Sequence, residues 1–175
     1  MHTPRCAKMH AIVVALALTL PLPAAPAGAV AHPDTTQPEA SSMNHRATGP
    51  FDVKLIPQQA DNPQAQSAGI GRMALDKRFH GALEATSAGE MIAFRTARPD
   101  SAGYVALERV DGTLDGRKGT FVLQHSSTMA RGAATQSITV VPDSGTGELA
   151  GLHGSMTIEI GAGGAHTYVF DYALD

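Results

Sequence analysis

Tryptophan is absent from this sequence, and aromatic residues together make up only 5% of its 175 residues. Because proteins stack RNA bases and sugars on aromatic side chains, this scarcity argues against an RNA-binding or carbohydrate-binding surface. Charged residues are also few, at 17%, and the basic residues form no cluster, so we expect no nucleic-acid partner. The longest apolar run, residues 11–20, is about half of what a membrane-spanning helix needs. We therefore expect the mature chain to have no membrane partner.

The first 31 residues have the order of a secretory signal peptide. Arg5 and Lys8 give a basic start, residues 11–20 form the short apolar stretch, and small residues follow a proline-rich segment. This order is typical of a signal that is cleaved on export, here after Ala29 or Ala31. We expect a secreted or periplasmic protein, with a short uncleaved N-terminal anchor as the alternative.

Export would determine which residues the mature chain keeps. Removal of the signal peptide at residues 1–31 takes away Cys6, the only cysteine, so no disulfide and no thiol nucleophile would remain. The loss of two of the 13 basic residues leaves 11 against 16 acidic ones, a net charge of −5. Residues 32–46 are polar and lack an apolar period, which predicts a flexible leader. The folded domain is then expected at residues 47–175.

Short runs of alternating apolar and polar residues, separated by glycine and proline, recur throughout the predicted domain. They predict strands at residues 51–56, 71–75, 79–85, 90–97, 137–141, 155–160 and 166–174, and a hairpin at residues 103–129. A turn is expected at Ser87-Ala88-Gly89. About eight short strands without a helical period predict an all-β barrel or sandwich, and a closed barrel would leave no exposed sheet edge.

The clearest unit is the hairpin, in which two β-rich runs flank an Asp-Gly turn. With Gly116 and Arg117 near the turn centre, one face is expected to carry Val105, Leu107, Phe121, Leu123, His125 and Met129. The other face is expected to carry Tyr104, Ala106, Glu108, Val110, Val122, Gln124 and Ser126. A slip of one residue in the register would re-sort these two sets.

Several longer segments resemble the domain-of-unknown-function family 3224. The most specific are GYVALE, GRKG followed by FVLQH, and PDSGTGELAG followed by HG, and the resemblance covers about residues 47–174. The resemblance implies a closed eight-stranded antiparallel meander β-barrel, similar to the allene oxide cyclase-like barrels of the broader calycin-like group. The family carries no established activity, so the resemblance implies neither a catalytic residue nor a cofactor, and we expect no cofactor.

Three residues are candidates for catalysis. Glu84 and Glu108 lie within strand segments of otherwise apolar or small residues, and a carboxyl group facing a barrel interior could serve as a general acid or base with a raised pKa. The alternative is that each points outward to water. His125 could be a proton shuttle or a donor to a ligand, or a core histidine with one hydrogen-bond partner.

Three further residues are candidates for ligand binding. Tyr104 and Tyr168 could offer hydroxyl groups at a barrel mouth, although plain packing is the alternative for both. Gln124 lies next to the catalytic candidate His125 in the same strand. No metal site is expected, because no two mature histidines have the H-x-H or H-x-x-x-H spacing of paired ligands.

Three functions remain open from the sequence. In the first, the barrel binds a small apolar or amphipathic molecule, since an eight-stranded barrel can hold one and interior candidates such as Gly81, Ala82, Ala85 and Ala106 are small. In the second, it is an isomerase or cyclase that acts on an apolar substrate. In the third, a filled barrel is a structural module that associates into a homo-oligomer through its outer face.

Overall fold

The computed structural model describes residues 44–59 and 62–175. The predicted signal peptide and most of the predicted leader lie outside these residues. The last two residues assigned to the leader, His45 and Arg46, begin the first strand. They pair with Tyr172 and Asp171 of the last strand.

Eight antiparallel strands form a closed barrel in which each strand pairs with its neighbours in sequence and the first pairs with the last. The strands are β1 (His45–Gln58), β2 (Gly71–Phe79), β3 (Leu83–Arg95), β4 (Ala102–Leu114), β5 (Arg117–Ala130), β6 (Ala133–Val140), β7 (Leu152–Ile160) and β8 (His166–Leu174). One short helix, α1 (Pro63–Ser67), joins β1 to β2. The predicted eight-stranded meander barrel is confirmed. Within the described ranges, no helix has the length and apolar character needed to cross a lipid bilayer.

The turn between β2 and β3 was predicted in the wrong place. The chain turns at residues 80–82, and Ser87 to Gly89 lie inside β3, so the strand predicted at residues 79–85 is wrong as well. Gly89 is opposite Glu108 in the sheet. A Cβ atom at position 89 would overlap the Leu107 carbonyl oxygen and lie 2.6 Å from the Glu108 Cα atom, so the glycine allows a close approach of the β4 backbone rather than a turn.

The hairpin of β4 and β5 is confirmed, but its predicted division into faces is wrong. Leu114 pairs with Arg117 across a two-residue turn of Asp115 and Gly116, whose φ values of 47° and 81° are those of a type I′ turn. This turn pairs even-numbered residues of β4 with odd-numbered residues of β5. The interior therefore receives Tyr104, Ala106, Glu108 and Val110 together with Phe121, Leu123 and His125.

One end of the barrel, here called the filled end, is packed with large side chains. It contains Phe79, Leu83, Leu114, Phe121, Leu149, Leu152, Met156, Tyr168, Phe170 and Tyr172, all of them buried. The Tyr172 hydroxyl donates a hydrogen bond of 2.6 Å to Asp115 in the β4–β5 turn. The turns β2–β3 and β4–β5 and the connection from β6 to β7 lie at this end.

The opposite end, here called the open end, is covered only in part. Its inward-facing side chains include Val53, Leu55, Met91, Tyr104, Ile158, Ile160 and His166, none of which is fully buried. The turns β3–β4, β5–β6 and β7–β8 lie at this end. The same alternation of residues thus gives a solid core at one end of the barrel and an accessible interior at the other.

Candidate functional site

Four polar side chains lie in the barrel interior where the filled end meets the open end. Lys77 of β2, Ser87 of β3, Glu108 of β4 and His125 of β5 form this polar cluster, and they are 5%, 4%, 1% and 3% exposed. Each occupies an inward position in the alternation of its strand. The register places Lys77 opposite Ser87, so four consecutive strands contribute one polar side chain each.

Glu108 is the centre of the polar cluster. Its Oε1 atom lies 2.8 Å from the Lys77 Nζ atom and 3.0 Å from the His125 Nε2 atom. Its Oε2 atom accepts a hydrogen bond of 3.0 Å from the Ser87 hydroxyl. Both carboxylate oxygens therefore have partners, which is the condition for burying a charge without a large penalty.

The environment of Glu108 favours its ionised form. Burial acts to raise the pKa of this carboxyl group, but the hydrogen bond from His125 and the positive charge of Lys77 outweigh it, so the pKa lies below the ordinary value of 4.5. Glu108 is consequently a carboxylate at neutral pH. Because a carboxylate only accepts hydrogen bonds, the Nε2 atom of His125 carries the proton that lies between them.

The Lys77 ammonium group also lies near two aromatic rings. Its Nζ atom lies 5.4 Å from the centre of the Phe51 ring and 5.7 Å from that of the Phe79 ring. Both distances are within the range of a cation–π contact. Two aromatic rings and the Glu108 carboxylate thus fix the position of the buried Lys77 ammonium group.

A cavity of about 170 Å³ adjoins the polar cluster at the open end. Its wall consists of Phe51, Val53, Leu55, Leu75, Lys77, Met91, Tyr104, Ala106, His125, Ile158, Ile160 and His166. Lys77 and His125 belong to this wall, whereas Glu108 lies behind them and does not. A molecule in the cavity would meet a mostly apolar surface with hydrogen-bonding groups at one side.

A larger groove of about 730 Å³ crosses β1 and β2 beside the cavity. Its wall includes Asp52, Lys54, Asp76 and Arg78, which are exposed to solvent on the outer face of the barrel. The groove shares Phe51, Val53, Lys77 and His166 with the cavity, and it differs from the cavity in also carrying exposed charges of both signs.

The structure brings some of the predicted site residues together and separates others. Glu108 and His125 are in contact, and Tyr104 lines the same cavity. Burial raises the pKa of Tyr104, with the negative charge of Glu108 acting in the same sense and a hydrogen bond with Ser127 opposing both. The Tyr104 hydroxyl group is therefore neutral at physiological pH.

Glu84, Gln124 and Tyr168 lie elsewhere. The exposed Glu84 accepts a hydrogen bond of 2.8 Å from the backbone N–H of Gly81. Gln124 is exposed on the outer face of β5 and lines a shallow groove there. The buried Tyr168 hydroxyl accepts a bond of 2.9 Å from Leu83 N–H and donates one of 3.0 Å to the His80 carbonyl oxygen, so these contacts hold the β2–β3 turn.

Sequence reasoning missed Lys77 and Ser87. A signal for Lys77 was present, because Leu75, Lys77 and Phe79 alternate along one strand and the two flanking residues are apolar. Ser87 carried no such signal, because it was assigned to a turn that the structure places elsewhere. In residues 44–59 and 62–175, no three His, Asp or Glu side chains are placed to hold a metal ion.

Comparisons with known proteins agree with this architecture. A crystal structure of a protein with unknown function from the DUF3224 family of Shewanella oneidensis MR-1 is 49% identical, covers 76% of this chain and 98% of its own, and superposes with a TM-score of 0.70. A comparison with curated proteins found no match. The wider similarity to allene oxide cyclase-like barrels stays a prediction. The family model described as protein of unknown function (DUF3224) matches residues 47–172, and the chain belongs to this family.

Proposed function

We propose that this protein binds one small amphipathic molecule in the open end of its barrel. The supporting observation is that Lys77 and His125, although nearly buried, form part of the wall of an otherwise apolar cavity. The cavity of about 170 Å³ is close to the roughly 150 Å³ that holds benzene in an engineered protein cavity. The part of the ligand inside the barrel would then have the size of a six-membered ring or a short alkyl chain.

The polar cluster supports binding because it is organised before a ligand arrives. Lys77, Ser87 and His125 all bond to Glu108, so none of these side chains has to be ordered during binding. Binding sites that need no reordering lose less affinity to conformational entropy. The accessible rim of Leu55 and Ile160 would provide further apolar contact for a ligand longer than the cavity.

Native mass spectrometry of the protein purified from its own host tests this proposal. We expect a co-purifying small molecule, and we expect Ala106→Leu to abolish it because Ala106 is part of the cavity wall. Ala88→Leu is the matched control, since Ala88 is exposed on the outer face of β3. A protein without any bound molecule that also fails to bind added amphipathic compounds would refute the proposal.

We also propose that the protein is exported from the cytoplasm. Export is supported by the basic, apolar and small residues in sequence order within the first 31 residues. N-terminal sequencing of the protein from its host should then find cleavage after Ala29 or Ala31. A mature chain that retains Cys6 would contradict export by cleavage.

Self-association is a second candidate function, supported by an apolar patch on the outer face of β3 and β4. Ile92, Phe94, Val105 and Leu107 are each about half exposed, and Ile92 pairs directly with Val105. Contiguous exposed apolar side chains often mark interaction surfaces. Light scattering tests this candidate: we expect a dimer or larger oligomer that Val105→Lys dissociates, and a monomer at every concentration would exclude it.

The isomerase or cyclase alternative has less support from the geometry. Glu108 already accepts three hydrogen bonds and its pKa is lowered, with burial as the only opposing influence. A general acid needs a proton near neutral pH, which requires a raised pKa. If catalysis occurs, Lys77 and His125 are the cluster members in contact with a substrate, because they reach the cavity.

A further inference from the structure

The charges of the cavity wall indicate what kind of polar group its ligand carries. Among the residues that the structure describes, the wall includes Lys77, His125 and His166 but neither an aspartate nor a glutamate. The carboxylates of Asp52 and Asp76 lie in the neighbouring outer groove. Glu108 is 1% exposed and lies behind Lys77 and His125. Among the described residues, a molecule in the cavity would therefore contact the ammonium group of the Lys77–Glu108 pair, while the carboxylate of that pair lies behind it.

The hydrogen-bond donors of Lys77 are only partly used. An ammonium group has three N–H donors, and one of them is directed to the Glu108 Oε1 atom at 2.8 Å. The rings of Phe51 and Phe79 lie nearby but accept no conventional hydrogen bond. Donors of a nearly buried ammonium group thus remain available to an acceptor atom that enters the cavity.

A charged acceptor would gain more from this ammonium group than a neutral one. A hydrogen bond from an ammonium group to a neutral oxygen already has one ionised partner. A carboxylate adds the attraction between opposite charges, which increases where water is excluded. Folding has already removed Lys77 from most of its contact with solvent, since the residue is 5% exposed. Binding would consequently cost less dehydration of the ammonium group than binding to an exposed lysine.

We propose that the ligand is an organic carboxylate with an apolar body, and that Lys77 binds its carboxylate group. This inference rests on the proposed function, because it names the chemical class of the molecule bound in the same cavity. Tyr104, whose neutral hydroxyl group can donate a hydrogen bond, belongs to the same cavity wall. Leu75, Met91 and Ile158 provide apolar wall for the body of the molecule.

Isothermal titration calorimetry with three probes of equal chain length tests this inference on the unmodified protein. The probes are octanoate, octan-1-ol and octylammonium, which share an apolar chain and differ in the charge of the head group. We expect octanoate to bind at least about tenfold more tightly than octan-1-ol. Octylammonium should give no detectable binding, because its charge repels Lys77.

The outcomes separate the inference from the proposed function. Octan-1-ol that binds as tightly as octanoate, or octylammonium that binds best, would overturn the carboxylate preference and leave the cavity a binding site. Binding of none of the three probes would overturn both. These outcomes need no mutant protein, so they do not depend on whether a variant folds.

A double variant tests the assignment to Lys77. Lys77→Met with Glu108→Gln removes both charges together and retains side chains of similar size. Octanoate should lose its advantage over octan-1-ol, so that the ratio of the two affinities falls from at least about tenfold to near one. The control is Lys118→Met, which removes an exposed positive charge in β5 and should leave the preference unchanged. A preference that survives in the double variant would show that the carboxylate is bound by another group.

Discussion

The filled end and the open end are built from the same eight strands but differ in the side chains that the alternation directs inward. Aromatic rings and leucines occupy the filled end, where Phe79, Leu114 and Phe170 are inaccessible to solvent. At the open end, Leu55 and Ile160 remain at least half exposed. The difference indicates that the filled end stabilises the barrel, whereas the open end can bind a ligand. The polar cluster lies between the two ends.

The largest expected effect comes from breaking the polar cluster at the boundary of the two ends. Glu108→Ala leaves the buried Lys77 without its anion, and loss of one partner of a buried pair costs about 3–5 kcal/mol. Replacing both charges, as in Lys77→Met with Glu108→Leu, should cost far less because no unpaired charge remains. Urea denaturation measures both free energies of unfolding. Equal losses in the single and the double variant would contradict this account.

A pair of leucine substitutions compares the two ends directly. Leu114→Ala in the filled end should lower the free energy of unfolding by about 2–5 kcal/mol, because it leaves a cavity in a closed core. Leu55→Ala at the open end should cost less than about 1 kcal/mol, since Leu55 is 50% exposed and Leu114 is 0% exposed. Urea denaturation of both variants checks the difference. A similar loss of unfolding free energy at both positions would contradict the proposed difference between the two ends.

Gly89 tests whether the backbone beside Glu108 is as crowded as the structure shows. In Gly89→Ala, the new methyl group would overlap the Leu107 carbonyl oxygen and lie 2.6 Å from the Glu108 Cα atom, and overpacking typically costs about 1–3 kcal/mol. Gly161→Ala is the control, because its Cβ would meet no atom closer than 3.6 Å and its φ of −80° suits alanine. Thermal denaturation should separate the two variants, and equal stability would contradict the close approach.

A further expected effect is confined to strongly alkaline solution, where Tyr172 gives the stability of the filled end a pH dependence. Burial, assisted by the neighbouring Asp115, raises the pKa of Tyr172 from 10.0 to about 12. The folded state therefore holds this proton more tightly than the unfolded state. The resulting stabilisation is complete below pH 10 and is lost as the pH rises towards 12. Urea denaturation across this range should show a smaller decline for Tyr172→Phe than for the unmodified protein, and identical declines would contradict the assignment.

The sequence was sufficient for the class of fold but not for the register within it. Alternating residues and the Asp115-Gly116 turn predicted an antiparallel barrel or sandwich with its central hairpin, and the family resemblance implied the closed barrel. The face that carries Glu108 depended on the exact length of that turn, because a shift of one residue moves every side chain to the other face. Only the pairing of Glu108 with Leu123 placed Glu108 and His125 in the same interior.

The polar cluster was only partly predictable for a related reason. Serine and glycine are common in turns, and Ser87 and Gly89 were read in that way. Their role becomes visible only when β2, β3 and β4 are aligned, since Ser87 faces Lys77 and Gly89 faces Glu108. A partner that lies on another strand leaves no local pattern in the sequence.

The claim that binding is confined to the open end can be tested most directly by NMR of methionine methyl groups during titration with octanoate. Met91 lines the cavity, whereas Met156 is buried in the filled end. We predict that the Met91 resonance shifts in proportion to octanoate bound and that the Met156 resonance stays in place. Binding that shifts Met156 and leaves Met91 unchanged would contradict the account.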